Sequence, residues 1–350
     1  MPGPEPVTPP FWGEQVRVLD GHNDLPWHHR ELAGYDLDAV DIARPQPRLH
    51  TDLPRMRAGG LAAQLWSVWV PCEHQGEAAV AATHEQIDFV EAMCARYDEM
   101  ALARSVADVE AAWAHGRHAA LLGMEGGHSI DCSLEHLADF AGRGVRYLTL
   151  THNDNTPWAD SATDEPVHGG LTDFGREVVQ EMNRLGLVVD LSHVAATTMR
   201  DALDVSTRPV MFSHSNALDL CSHPRNVPGD VLEQIPGNGG VVMANFVPYF
   251  LREDWAQWRL RGYREEERPT VPAGVDDVVA HLEHLREVVG VDHVGIGADF
   301  DGVDLLPDGL GDVSTYPRLF TALRAKGWSA ADIDALAHRN GLRVLADSQV

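Results

Sequence analysis

The sequence predicts a parallel (β/α)8 barrel, and three observations support this fold class. Short apolar runs typical of buried strands alternate with amphipathic helical patterns along most of the chain. We count eight such strands, the number that closes a barrel of this type. The length of 350 residues is long for an average domain but common for a single barrel. An open doubly wound sheet is the alternative, but no glycine-rich phosphate turn follows the first strand.

The eight strands and the helices between them can be placed from these patterns. Strands are predicted at 16–21, 65–70, 119–123, 147–151, 187–191, 210–213, 241–245 and 293–297. Helices are predicted at 78–97, 106–115, 134–142, 173–185, 195–205 and 275–289. Because helices separate the strands, the strands are expected to run parallel.

Four further segments lie outside a minimal barrel. The proline-rich first ten residues predict an irregular arm, and 329–346 predicts two short closing helices. The polar stretch 36–54 and the tryptophan-bearing stretch 248–272 are candidate loops over the active-site face. For the charge run at 264–268, a solvated excursion without a role is the alternative. We expect residues 1–350 to form one catalytic domain.

The composition excludes several classes of partner. The chain has 53 Asp and Glu against 27 Lys and Arg, a net charge of −26. This charge repels phosphate backbones and anionic lipid, so nucleic-acid and membrane-surface roles are set aside. No apolar run reaches the roughly 18 residues of a bilayer span, and MPGPEPVTPP lacks the pattern of a signal peptide. The four cysteines show no paired spacing, which indicates free thiols in a reducing cytosol. We expect a cytoplasmic protein.

The carboxyl ends of the predicted strands carry an unusual set of polar side chains. In a barrel these ends converge on one face, where the active site lies. Imidazoles and carboxylates gathered in one cavity are costly unless a cation compensates them, and two divalent metal ions would do so. The strand-end residues are His22, Asp24, Glu125, His152, His193, His214 and Asp299.

The spacing and chemistry of five of these residues suggest how they hold metal. His22 and Asp24 are two residues apart at a strand end, so both can face one zinc ion. His193 and His214 suit a second zinc ion, and Glu125 is the natural bridging carboxylate. A hydroxide held between two such ions is a nucleophile at neutral pH.

The remaining polar groups suit substrate binding and proton transfer. Asp299, which is not needed as a ligand, can take a proton and pass it to a leaving amine. His152 can donate a hydrogen bond to the oxyanion that forms on the attacked carbonyl. Arg225 follows His214 shortly in the chain and could bind a substrate carboxylate. A plain surface charge is the alternative for Arg225.

Six segments in chain order resemble the membrane dipeptidase (renal dipeptidase) family of binuclear zinc peptidases. These are DGHNDLPW, GMEGGHS, GVRYLTLTHNDNTPWADSA, GLTDFGREVVQEMNRLGLVVDLSHV, FSHSNA with RNVPGDVL, and GIGADFDGV. They extend from about Asp20 to Asp301, and NGLRV near Asn340 also fits. The resemblance implies a distorted, amidohydrolase-like (β/α)8 barrel.

The resemblance also implies a role for each site residue. It implies His22, Asp24 and Glu125 on one zinc ion, and the bridging Glu125 with His193 and His214 on the other. It implies substrate binding by His152 and Arg225 and proton transfer by Asp299. Arg225 would hold the terminal carboxylate of a dipeptide, the substrate partner. The implied activity is a metallo-dipeptidase that accepts a D-residue at the C-terminal position.

Departures from the mammalian members indicate an intracellular, bacterial-type member. Those members are secreted and lipid-anchored, whereas no leader or anchor pattern is recognised in this sequence. They also join a cysteine near Cys72 to a cysteine in the loop after the His152 strand. Here that loop contains Asn153, Asp154 and Asn155, so this disulfide is not expected. The family often dimerises, which makes a homodimer possible for this chain.

Two other functions remain open from the sequence. A related amidohydrolase could use the same metal ligands to open a lactone, a cyclic amide or a β-lactam. A metal-binding scaffold or sensor without catalysis is a more distant alternative. The presence of Asp299 and His152, which a closed metal site does not require, argues against the non-enzymatic alternative.

Overall fold

The computed structural model describes residues 10–349, and its centre is a parallel β-sheet of nine strands. The predicted arm at the start of the chain lies almost entirely outside the described residues. The strands are β1 (Val18–Asn23), β2 (Leu61–Trp69), β3 (Met100–Leu102), β4 (His118–Glu125), β5 (Val145–Thr149), β6 (Val188–Asp190), β7 (Met211–Phe212), β8 (Val241–Ala244) and β9 (Val294–Ile296).

Eight of these strands close into a barrel. Their order is β2-β1-β9-β8-β7-β6-β5-β4, and β2 pairs with β4 to complete the circle. All of the pairings are parallel, which confirms the predicted fold class. The ninth strand, β3, lies outside the circle and pairs with the first half of β4. The sequence analysis missed β3 because three residues are too few to show a strand pattern.

Helices follow most of the strands and cover the outside of the barrel. They are α1 (Leu25–Ala33), α2 (Leu53–Gly59), α3 (Glu77–Arg96), α4 (Val106–Ala114), α5 (Leu134–Arg143), α6 (Asp173–Leu185), α7 (Ala196–Val205), α8 (Gly229–Leu232), α9 (Ile235–Asn238), α10 (Pro248–Leu251), α11 (Glu253–Leu260), α12 (Val275–Val289), α13 (Tyr316–Ala325), α14 (Ala330–Asp334) and α15 (Asn340–Ser348). The six predicted helices are confirmed within one or two residues at each end. Among residues 10–349, no helix is both long and apolar enough to span a bilayer.

Local signals explain where these helices begin and end. The side chain of Thr172 caps the start of α6, and Gly186 ends it with a φ of 73°. The side chain of Ser133 caps α5 in the same way, and Gly144 ends it with a φ of 107°. Both helices therefore stop where the chain must turn into the next strand.

The barrel strands are buried on both faces, as their continuous apolar character predicts. Side chains such as Leu65, Leu121 and Met243 belong to one apolar cluster, which α15 joins through Val344. Alternate residues on the same strands pack instead with the surrounding helices in a larger cluster. Helix α15 thus covers the end of the barrel opposite the carboxyl ends of the strands.

The tail contains the two short closing helices that were predicted, α14 and α15, with no loop between them. A π-helical turn, Ala335–Arg339, joins α14 directly to α15. Asn340, the first residue of α15, donates from its side chain to the carbonyls of Val291 and Val294. The tail is therefore one interrupted helix that is anchored to the start of β9.

Candidate metal centre

The strand-end residues that the sequence predicted meet at the carboxyl face of the barrel. His22 lies on β1, Asp24 follows that strand, and Glu125 is the last residue of β4. His193 and His214 follow β6 and β7. All five are buried, and His214 is fully enclosed.

Glu125 lies between the two ligand pairs, with one oxygen facing each. Its Oε2 is 3.4 Å from Nε2 of His22, which in turn is 3.3 Å from Oδ2 of Asp24. Its Oε1 is 3.0 Å from Nε2 of His193 and 3.4 Å from Nε2 of His214. This arrangement is the one expected of a carboxylate that bridges two cations.

Hydrogen bonds on the far side of two rings orient their Nε2 atoms toward the centre. Nδ1 of His214 is 2.8 Å from the hydroxyl of Ser213, which donates to the buried carboxylate of Asp190. Because that hydroxyl already donates to Asp190, the imidazole is the donor to Ser213, and its Nε2 keeps a lone pair. Nδ1 of His22 is 2.9 Å from the hydroxyl of Tyr147 in the same way.

The donor set fits divalent metal ions. Nε2 of His193 lies 3.0 Å from Nε2 of His214, so two ring nitrogens face each other at hydrogen-bond distance. Burial lowers the pKa of both rings, which favours their neutral, metal-binding forms. Burial raises the pKa of Glu125, but the imidazoles of His22 and His193 outweigh it and hold that pKa well below its usual value. Nitrogen and oxygen ligands gathered around a carboxylate are typical of zinc sites.

Asp299 lies beside this cluster, after β9. A carboxylate oxygen of Asp299 lies within 4.8 Å of ligand atoms of His22 and Asp24. The side chain of Asn245 donates to Oδ2 of Asp299 at 3.1 Å. Burial raises the pKa of Asp299 to about 7. Its φ of 67° is in the left-handed region, which is uncommon for a residue other than glycine and typical of functional turns.

Gly302 makes this close grouping of carboxylates possible. A Cβ atom at this position would lie 2.2 Å from Oδ2 of Asp24 and 2.7 Å from Oδ1 of Asp299. Only glycine therefore fits between the two acids in the observed backbone.

A cavity of about 810 Å³ opens over the cluster, and both predicted substrate-binding residues line it. The rings of His152 and His193 are tilted against each other, with centroids 4.4 Å apart. Burial lowers the pKa of His152. Arg225 is only 2% exposed. Among residues 10–349, none of its three guanidinium nitrogens has a hydrogen-bond partner. The guanidinium lies 5.0 Å from the ring centroid of Phe250. Arg225 is therefore a buried cation, and the alternative of a plain surface charge is wrong.

The two candidate loops differ in their relation to the cavity. Stretch 248–272 contributes Tyr249, Phe250 and Arg259 to its wall. No residue of 36–54 lines it. That stretch instead supports a lining residue, because the backbone N–H of His50 donates to the carboxylate of Asp301 at 2.7 Å.

Several functional side chains were not singled out from the sequence. Asp190 and Tyr147, which orient metal-facing histidines, are polar groups inside apolar strands, and that contrast was the available signal. Asp160 was not singled out either. It is buried and accepts hydrogen bonds from the backbone N–H groups of residues 167–170. The residues just after it, 162–165, line the cavity.

The chain resembles proteins of known class over nearly its whole length. It is 41% identical over 332 residues to dipeptidase 3 from Mus musculus, which covers 93% of this chain and 63% of the mouse protein. The chain thus spans less than two thirds of that relative. A crystal structure of a metallo peptidase from Rhodobacter sphaeroides, liganded with a phosphinate mimic of the dipeptide L-Ala-D-Ala, superposes with a TM-score of 0.84. It is 28% identical, with 96% of this chain and all of that chain (100%) covered.

A more distant structure supports the fold alone. An amidohydrolase from Burkholderia multivorans with bound zinc has a TM-score of 0.52 and 14% identity, covering 94% of this chain and 99% of its own. The profile of the membrane dipeptidase family, peptidase family M19, matches residues 13–350. Together with the arrangement of His22, Asp24, Glu125, His193 and His214, this match shows that the chain belongs to the membrane dipeptidase family.

Proposed function

We propose that this chain is a zinc-dependent dipeptidase that hydrolyses free dipeptides and accepts a D-residue at the C-terminal position. The observation that supports it best is the buried guanidinium of Arg225, which has no hydrogen-bond partner among residues 10–349 and lies in the same cavity as Glu125. A buried cation is stable only if an anion compensates it. A dipeptide brings its free carboxylate within one residue of the scissile bond, whereas a longer peptide does not.

We propose that His22 and Asp24 hold one zinc ion and that His193 and His214 hold the second. Glu125 would be shared by both ions, because its two oxygens face the two ligand pairs. Divalent ions bound there lower the pKa of water and polarise a carbonyl, which is the chemistry that hydroxide attack on a peptide bond requires.

The other residues position the substrate and move the proton. Arg225 binds the terminal carboxylate and so fixes the scissile carbonyl over the cluster. His152 donates a hydrogen bond to the carbonyl oxygen as negative charge develops there. Asp299, oriented by Asn245, takes the proton from the attacking water and delivers it to the amine nitrogen as the C–N bond breaks. Two free amino acids are the products.

Similarity to the Rhodobacter enzyme supports tolerance of a D-residue, since that structure holds a mimic of L-Ala-D-Ala. Organisation as one domain, a cytoplasmic location and a possible homodimer stay predictions.

Lactones and β-lactams without a free carboxylate fit the cavity less well, because they would leave Arg225 unpaired. A purely structural metal site would not require Arg225 at all.

The test compares a dipeptide with its own amide. L-Ala-D-Ala and L-Ala-D-alaninamide are assayed with metal-replete protein, with and without chelator. We expect chelator-sensitive cleavage and a preference for the free acid of about 10–100-fold, the range of a charge-assisted hydrogen bond. Arg225→Gln should abolish that preference. Arg318→Gln, at an exposed position on α13 outside the cavity, is the matched control and should preserve it.

Three results would contradict the proposal. Cleavage that persists in the presence of chelator would show that the reaction does not require metal. Equal cleavage of the acid and the amide would show that Arg225 does not bind a substrate carboxylate, and it would favour a lactonase or β-lactamase. Tight metal binding without turnover of any dipeptide would favour a non-enzymatic role.

A further inference from the structure

The stretch 248–272 forms one wall of the cavity and holds a second arginine there. Helix α11 carries Arg259, and the residues that follow it turn back over the cavity mouth. The tryptophans of this stretch, Trp255 and Trp258, are buried and pack edge to face. The stretch is therefore an ordered element that fixes the position of Arg259.

Arg225 and Arg259 each lie near one ring of the same aromatic pair. The rings of Tyr249 and Phe250 are 4.7 Å apart and nearly perpendicular. The guanidinium of Arg225 lies 5.0 Å from the Phe250 ring, and that of Arg259 lies 5.9 Å from the Tyr249 ring. Arg259 also lies 4.3 Å from the ring of Tyr263, which holds it against the wall.

Within the part of the chain that the structure describes, neither arginine makes an ion pair with an Asp or Glu at 4.0 Å or less. His223 lies beside the same aromatic pair, and its pKa is lowered to about 3 by burial and then by these two arginines. One end of the cavity is thus positively charged in a protein whose net charge is −26.

We propose that Arg259 is a specificity-determining residue that binds an acidic side chain on the C-terminal residue of the dipeptide. The inference rests on the proposed function, which places the α-carboxylate of that residue on Arg225. Aspartate and glutamate carry a second carboxylate one or two methylene groups from the α-carbon. A neighbouring guanidinium can bind this group while the first remains on Arg225. The preferred substrates then end in aspartate or glutamate.

The experiment measures kcat/KM for L-Ala-D-Asp, L-Ala-D-Asn and L-Ala-D-Ala. Asparagine has nearly the shape of aspartate without its charge, so the ratio of these two substrates isolates the charge. We expect aspartate to exceed asparagine by about tenfold or more, mostly through a lower KM. Because Arg259 is exposed, the ratio should fall as salt is raised.

Substitutions at Arg259 should change that ratio rather than activity in general. Arg259→Gln should bring it close to one, Arg259→Lys should keep part of it, and Arg259→Glu should reverse it by repulsion. Arg261→Gln is the matched control, since Arg261 is an exposed arginine two residues along that does not line the cavity. It should leave the ratio unchanged. If Arg259 had a merely structural role, its substitution would lower kcat/KM equally for all three substrates.

The outcomes separate this inference from the proposed function. If L-Ala-D-Ala is cleaved but L-Ala-D-Asp and L-Ala-D-Asn have equal kcat/KM, the role of Arg259 is overturned and the dipeptidase proposal stands. The same holds if Arg259→Gln leaves the ratio intact. If no dipeptide is cleaved by metal-replete protein, both proposals fail together.

Discussion

At the scale of single residues, the candidate metal centre depends on side chains that are not among its proposed ligands. The hydroxyl of Ser213 links His214 to the carboxylate of Asp190, so the ring is held in one tautomer and one orientation. Thr149 and Ser192 also donate to Asp190, which keeps this buried acid fully hydrogen-bonded. The orientation of the His214 ring, and so the position of its Nε2 atom, is thus set by Ser213 and Asp190.

We therefore expect Ser213→Ala to weaken metal binding by about 10–100-fold, because His214 loses the acceptor that orients it. A competition titration against a chromogenic chelator measures the affinity. Thr321→Ala, which removes an exposed hydroxyl on α13, is the control. Unchanged metal affinity in Ser213→Ala would show that the strand backbone alone orients the ring.

His118 illustrates a residue whose effect is on stability. It is fully buried near the start of β4, and burial lowers its pKa to about 4 from an ordinary value of 6.5. Below pH 6.5 the unfolded chain binds a proton at this position while the folded chain does not. The free energy of unfolding should therefore fall between pH 6.5 and pH 4, by about 3 kcal/mol for this residue.

Urea unfolding at several pH values checks this prediction. His118→Gln should lose part of the pH dependence between pH 6.5 and pH 4, and His115→Gln, at an exposed position, is the control. Parallel pH profiles for His118→Gln and the unsubstituted protein would contradict it.

At the scale of elements, loops decide the shape of the cavity. The segment 160–170 contains no regular helix or strand, yet Asp160 collects the backbone N–H groups of residues 167–170 around one carboxylate. This arrangement fixes the cavity-lining residues 162–165. Such a contact joins residues that are close in the chain but follows no helix or strand period, so sequence patterns did not reveal it.

Asp160→Ala should destabilise the protein by about 2–3 kcal/mol, because the backbone N–H groups of residues 167–170 lose their charged acceptor. It should also make 160–170 sensitive to limited proteolysis and raise KM for dipeptides. Thermal unfolding, peptide mapping after brief protease treatment, and kinetics measure these effects. Asp173→Ala, an exposed acid in the first turn of α6, is the control. Equal proteolysis of the two variants would count against the role of Asp160.

At the scale of the whole molecule, the candidate metal centre joins distant parts of the chain. Its proposed ligands come from the ends of β1, β4, β6 and β7, which lie on different sides of the barrel. Ions that bind there would bind the folded barrel and not the unfolded chain. They should therefore stabilise the fold as a whole.

Removal of metal should accordingly lower the melting temperature. Free metal at a hundred times its Kd stabilises the native state by about 2.7 kcal/mol. Calorimetry with and without chelator measures the change, and the Glu125→Gln variant should respond much less than the unsubstituted protein. An identical melting temperature with and without chelator would contradict metal binding at this centre.

The sequence by itself determined the barrel and predicted which residues gather at its carboxyl face. Apolar strands alternate with helices at regular intervals, and His22, Glu125 and His214 stand where those strands end. These are local patterns, and the geometry of a parallel barrel carries strand ends to one face whatever lies between them. The family resemblance drew on the same segments.

Only the tertiary structure decided what surrounds those residues. The burial of Arg225, the hydrogen bonds from Ser213 to Asp190, and the placement of Arg259 depend on groups far apart in the chain. Sequence spacing does not encode such contacts, because loops of irregular conformation set them. Charge, burial and partner are properties of a neighbourhood, and that neighbourhood exists only once the chain has folded.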